Sequence, residues 1–215
     1  MNKKKIIIMS VCIIGIILGT YIKVKYSPIG FRSSEYVAFL CDDGVHLEYY
    51  RGEDKDVVIP NYIGFFPVTE IGENCFELND SIETVVIPGN VKKIGESAFE
   101  GCIKLKSVKA ENVKSVDYLA FNDDWNLEIV ELGDNLQTIG VWAFNRCHSL
   151  TYIPSKQSLK EIGDYAFQEC EIEDPGDLTG IIVGDDVFKN SPWSRSSHNL
   201  DSVISNNYEE ENSTE

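Results

Sequence analysis

Histidine is scarce in this chain of 215 residues: there are three, and His46, His148 and His198 stand far apart, which works against any one site built on imidazoles. No Cys-x-x-Cys pair, His-Glu-x-x-His helix, Gly-x-Ser-x-Gly elbow or phosphate-cradling glycine loop occurs, which removes the usual sequence routes to zinc, redox, hydrolase and nucleotide chemistry. Basic residues are thin as well. There are 19 Lys and Arg against 35 Asp and Glu, and five of the basic ones, Lys3, Lys4, Lys5, Lys23 and Lys25, lie in the first 25 residues. The rest of the chain is more acidic than the formal net charge of −16 suggests. Such a surface repels phosphates, whose neutralisation by Lys and Arg drives nucleic-acid and anionic-lipid binding, so neither is expected as a direct ligand. Carboxylates are plentiful, yet acid–base catalysis needs a pair held at a fixed separation in a cleft, and no spacing suggests one. Asn122-Asp123-Asp124 lacks the spacing of a calcium loop and reads as a solvated turn. No catalytic residue, metal site or cofactor is expected, and the chain reads as a non-enzyme.

Long hydrophobic runs are absent too, with one exception at the start. After Met1-Asn2 and three lysines, Ile6 to Ile22 runs for 17 residues without a charge before Lys23 and Lys25 close it. A spanning helix needs roughly 17 to 25 apolar residues, and Leu18-Gly19-Thr20 is a poor match to the small-residue site at which a signal peptide is cut. Residues 1–25 are therefore expected to form a retained transmembrane anchor, with a cleaved secretion signal as the alternative. The lysine distribution weakly favours a domain that faces outward. Residues 26–35 read as a linker. Residues 194–215, rich in Ser, Asn and Glu, read as an acidic disordered tail.

Between them the sequence repeats. Phe76, Phe99, Phe121, Phe144, Phe167 and Phe188 are spaced by 23, 22, 23, 23 and 21 residues, and Gly72, Gly95, Gly140, Gly163 and Gly184 stand four residues ahead of five of them, with Asp117 as the exception. Ile82-x-x-Val85-x-Ile87-x-x-Asn90 and Leu127-x-x-Val130-x-Leu132-x-x-Asn135 fit the pattern L-x-x-L-x-L-x-x-N, whose alternation predicts a strand with one buried face. Ala98, Phe99, Cys102 and Leu105 follow at i, i+1, i+4 and i+7, a spacing that predicts a short helix with all four on one side. One period thus makes one coil that cannot bury its apolar face alone, and stacking makes the core continuous. Cys102, Cys147 and Cys170 occupy one slot, three residues after Phe, and are expected as buried thiols between coils; a Cys147–Cys170 disulfide is the alternative. The Phe121 coil is one residue short and carries Asp117 for glycine and Asp124 for cysteine, and the next coil has Ser155 where its neighbours have Ile87 or Leu132. Both should be irregular.

The run Ile-Pro-x-x-Val-x-x-Ile-Gly-x-x-Ala-Phe-x-x-Cys-x-x-Leu, clearest at residues 87–105 and nearly repeated at 132–150 and 155–170, resembles the BspA-type leucine-rich repeats of bacterial surface proteins. Asp43 to Tyr50, Val57-Val58-Ile59-Pro60 and Gly64 to Gly72 resemble the way arrays of that family begin. The resemblance spans residues 36–193. It implies an α/β leucine-rich-repeat solenoid of about six coils of ~23 residues, here expected to begin with a β-hairpin cap over Tyr36 to Tyr50 and to follow an N-terminal transmembrane helix.

Stacked strands present outward side chains as a ladder. The flanks of the buried strand positions are Thr84 and Val86, Ser107 and Lys109, Ile129 and Glu131, and Tyr152 with Pro154. Their mixture of polar, apolar and aromatic groups suits a protein or glycan ligand. The expected function is a membrane-anchored binding or adhesion module on the bacterial cell surface, as the resemblance implies. The alternative is a non-catalytic scaffold or immunity-like accessory protein that holds a partner from the same cell.

Overall fold

The computed structural model describes residues 31–32 and 35–196. The anchor and most of the tail expected above lie outside them, and among the described residues no helix is long and apolar enough to cross a membrane. The chain begins with β1 (Phe31–Arg32), β2 (Tyr36–Cys41) and β3 (Gly44–Tyr50), which pair antiparallel in that order. From there almost every strand is short and parallel to its neighbour. β4 (Asp56–Val58), β7 (Thr84–Ile87), β9 (Ser107–Ala110) and β11 (Ile129–Glu131) form one four-stranded parallel sheet, sheet B. β6 (Phe66–Ile71), β8 (Lys93–Ile94), β10 (Ser115–Val116), β12 (Thr138–Ile139), β13 (Glu161–Ile162) and β14 (Ile182–Val183) form the parallel part of a ten-stranded sheet, sheet A, which β3 joins through β6. β5 (Tyr62–Ile63) pairs antiparallel with β6. The result is a β-solenoid of about six turns.

The segment around each phenylalanine is not the helix that its spacing predicts. Among the described residues the only α-helix is α1 (Pro192–Arg195). In every coil the residues two before and two after the phenylalanine have positive φ: Asn74, Ser97, Leu119, Trp142, Tyr165 and Asp186 on one side, Leu78, Gly101, Asp123, Arg146, Glu169 and Asn190 on the other. Residues in that left-handed region cannot propagate an α-helix. Except in the last coil, their amides and that of the phenylalanine turn out of the coil and donate to the next one, as in Ser97 N to Tyr118 O at 3.0 Å, Phe99 N to Ala120 O at 2.8 Å and Gly101 N to Asn122 O at 2.8 Å, while the residues between them bond locally, Ala98 N to Gly95 O and Glu100 N to Ser97 O. A helix would spend all of these donors inside the coil; this corner spends alternate ones on stacking.

Packing follows the same column logic. The six phenylalanine rings stack at 4.8, 5.1, 5.1, 5.3 and 5.9 Å between centroids. Tyr50 of β3 extends the column at one end, 4.9 Å from Phe76, and Trp193 of α1 meets Phe188 edge-on at the other. Val85, Val108 and Val130 of sheet B and Ile71, Ile94, Val116, Ile139 and Ile162 of sheet A are all buried against it. Burying each such side chain is worth about 1.5–3 kcal/mol, which no single coil could collect alone.

Of the two coils expected to be irregular, the Phe121 coil keeps its strand register and ring stacking, and only the next one loses its place in sheet B. Asp117 keeps the inter-coil bond that glycine makes elsewhere, its N–H reaching Ile94 O at 2.9 Å, and its carboxylate pairs with Lys93 at 3.0 Å. In the next coil, Pro154 has no N–H for a ladder and Ser155 has φ +42, so sheet B ends at β11.

Candidate functional site

Sheet B places the predicted ligand-facing residues of β7, β9 and β11, but not Tyr152, in two straight rows, because its parallel strands stack in register without a shift. Asp56, Thr84, Ser107 and Ile129 form one row, and Val58, Val86, Lys109 and Glu131 the other. Alternation along each strand turns these outward while Val57, Val85, Val108 and Val130 turn in. Asp56 and Val58 were not among the sequence candidates, although Val57-Val58-Ile59-Pro60 has the same form as Val85-Val86-Ile87-Pro88 and could have identified them.

The face is apolar in patches and internally hydrogen-bonded or ion-paired elsewhere. Val58 is 70 % exposed and Val86 44 %, beside half-exposed Ile129 and Tyr152. The Thr84 hydroxyl donates to Asp56 at 2.6 Å, and Lys109 pairs with Glu131 at 3.2 Å. At the margin, Lys106 and Lys55 both donate to Glu83, at 2.7 and 2.8 Å, and these bonds hold its carboxylate down to about 2. Ser107 is half-buried. Tyr152 lies beyond β11, where a fifth strand would lie. Its hydroxyl accepts from Val130 N at 2.8 Å and donates to Val130 O at 3.3 Å, so it covers the backbone edge of the sheet and leaves only its ring to a ligand.

The candidate reactive groups are dispersed. His46 contacts Asp43 and Glu70, and His148 stacks on Trp125; His198 lies outside the described residues. Among those residues no group of three or more His, Cys, Asp or Glu is arranged to hold a metal ion. Asn122-Asp123-Asp124 does not form the solvated turn expected of it: Asn122 accepts from the Asn145 amide at 2.7 Å, Asp123 pairs with Arg146 at 2.7 Å, and Asp124 points inward and is wholly buried. Cys102, Cys147 and Cys170 are buried free thiols, each donating at 3.1 Å to the phenylalanine carbonyl one coil back, Phe76, Phe121 and Phe144. Their sulfurs meet backbone carbonyls, and burial pushes all three thiols up in pKa, away from nucleophilic thiolate.

One surface feature escaped the sequence reading. Tyr118, Trp142 and Tyr165 form an outer aromatic ladder with centroids 5.8 and 5.9 Å apart. Trp142 and Tyr165 share the slot two residues before phenylalanine, a signal that was available; Tyr118 is one residue out of step.

Sequence comparison matches residues 69–193 to the family described as BspA type leucine-rich repeat region, in six copies. No curated protein matches the chain. Several solved structures are similar. A leucine-rich-repeat protein of T. pallidum has a TM-score of 0.61 at 23 % identity, over 84 % of this chain and 95 % of that one. A leucine-rich cell surface protein of Faecalibacterium prausnitzii A2-165 gives 0.59 at 20 %, over 79 % of this chain and 53 % of its own. The pneumococcal vaccine antigen PcpA gives 0.60 at 21 %, over 75 % and 47 %. The chain thus spans nearly all of the first and about half of the other two, and the likeness at these identities is one of fold.

Proposed function

Because the chain belongs to the BspA-type leucine-rich-repeat family, whose members are binding modules and generally not catalysts, we propose that it is a non-catalytic binding or adhesion module displayed on a bacterial cell surface. In this reading residues 1–25 are a retained membrane anchor, the β2–β3 hairpin caps the first coil, and sheet B takes a protein or glycan ligand. The observation that carries it is the pair of in-register rows on sheet B, where Val58, Val86, Ile129 and the Tyr152 ring leave apolar surface exposed among polar side chains bonded to one another. Apolar patches interspersed with polar groups are a usual composition of a recognition surface. The similar F. prausnitzii protein is itself a cell surface protein, which agrees with the display.

The test is protease shaving of intact cells that produce the full chain, followed by blotting for the C-terminal tail. Loss of the tail from intact cells, with full-length protein in the membrane fraction beforehand, supports outward display on a retained anchor. A tail protected until the membrane is breached rules out adhesion and turns the search to a scaffold partner inside the cell. Release of the domain into the medium favours the cleaved signal. The double variant Val86→Glu and Ile129→Glu then tests the face: it should abolish retention on whatever matrix protein or glycan the parent binds, with the circular dichroism spectrum unchanged.

A further inference from the structure

The glycine column on the sheet A side shapes the surface outside it. A Cβ on Gly140 would stand 2.6 Å from the Asp117 carbonyl carbon, and one on Gly163 2.5 Å from the Val141 nitrogen, so stacking itself requires these positions to carry no side chain. The bare backbone leaves a trough of about 320 Å³. Thr138 and Glu161, register neighbours on β12 and β13, line its sheet side, and Tyr118 and Val141 its turn side. Trp142 does not line the trough itself but stands beside it, its ring 5.8 Å from that of Tyr118, and the two residues are 37 % and 36 % exposed.

Charge decides what fits. Asp117 is already bound by Lys93, which also holds Glu70 at 3.2 Å. Glu96 and Glu161, the other two carboxylates of the trough, are exposed and pair with no cation among the described residues. Aromatic faces beside uncompensated carboxylates attract an ammonium or guanidinium group by ring quadrupole and by charge together. The molecule does this itself one rung along, where the Lys189 ammonium lies 5.3 Å from the Tyr165 ring, and again where Arg146 lies 6.0 Å from Trp125. A neutral glycan would use the rings and leave the carboxylate charge unanswered.

We propose that this trough binds an extended basic peptide segment, with Lys or Arg side chains laid against Tyr118 and Trp142 and with Glu96 and Glu161 as counter-charges. Alternate side chains of an extended strand are about 6.7 Å apart, close to the 5.8 Å between these rings, so an Arg-x-Arg spacing suits the ladder. The site is on a different face from sheet B and does not depend on a ligand there.

The experiment is fluorine NMR of the full-length chain carrying fluorotryptophan at its three tryptophans, with the resonances assigned by single substitution. The probe is the peptide acetyl-Gly-Arg-Ser-Arg-Ser-Arg-Gly-amide. The Trp142 resonance should shift saturably, and less so at high salt. Glu161→Gln and Trp142→Ala should each weaken binding roughly three- to tenfold, Trp142→Ala being followed by calorimetry, with folding checked by circular dichroism. Glu128→Gln, an exposed carboxylate on the sheet B side, should leave it unchanged. Equal binding of the same peptide with citrulline for arginine would overturn the proposal. So would equal weakening by Glu128→Gln, which would reveal only diffuse attraction to an acidic protein, or a Trp142 shift with cello-oligosaccharides and none with the arginine peptide.

Discussion

Asp124 occupies the slot that other coils fill with Cys102, Cys147 and Cys170. One of its oxygens accepts the Cys102 N–H at 2.7 Å, while the other is buried without a partner. Burial, reinforced by the nearby charges of Asp123 and Glu100, holds this carboxyl well above the usual carboxylate range. In the unfolded chain it ionises near ~4. Raising the pH from about 4 therefore lets only the unfolded state release the proton, and stability falls by up to about 1.4 kcal/mol per pH unit until the folded group ionises too. Asp124→Cys restores the slot without that penalty. Its stability advantage in urea unfolding should be least near pH ~4 and should widen toward neutrality; an advantage that is flat with pH would mean that the native carboxyl ionises normally. Gly163→Ala is the opposite kind of change. Its methyl would meet Val141 backbone at 2.5 Å, and an overpacked site of this kind costs about 1–3 kcal/mol, which should appear as a lower urea midpoint with the slope unchanged.

Each element is defined by what the next coil offers it. The corner around Phe99 has helical side-chain spacing, but its alternate amides find carbonyls one coil along, at Tyr118, Ala120 and Asn122, and that is a tertiary fact. The phenylalanine column shows the same dependence. Phe121 stacks at 5.1 Å on both neighbours, whereas Phe188 lies at 5.9 Å from Phe167 and, among the described residues, meets the Trp193 ring edge-on beyond it. Phe121→Ala should cost about 3–5 kcal/mol and split the array. Phe188→Ala should cost less, because a terminal coil can open while the others stay stacked. Thermal unfolding followed at far-ultraviolet wavelengths separates these outcomes: equal losses would mean that the ends are as cooperative as the centre.

Across the whole molecule, stability should grade from the middle outward, since each coil touches only its neighbours. Amides that cross between coils at Phe99, Phe121 and Phe144 should exchange with deuterium most slowly, and those of β14 and α1 earliest; uniform protection would indicate a single global opening. The sequence by itself determined the approximate number of coils, the buried phenylalanine and cysteine columns and the outward residues of β7, β9 and β11, because repetition at a fixed period leaves one way to stack apolar faces. It could not decide the corner, because helical spacing and alternating left-handed turns put the same side chains inward and differ only in where the amides go. Nor could it show that the Tyr152 hydroxyl closes the edge of β11, that Asp124 turns inward, or that glycines required for close stacking open an aromatic, acidic trough on the outside. Those depend on distances between coils, which exist only once the chain has stacked.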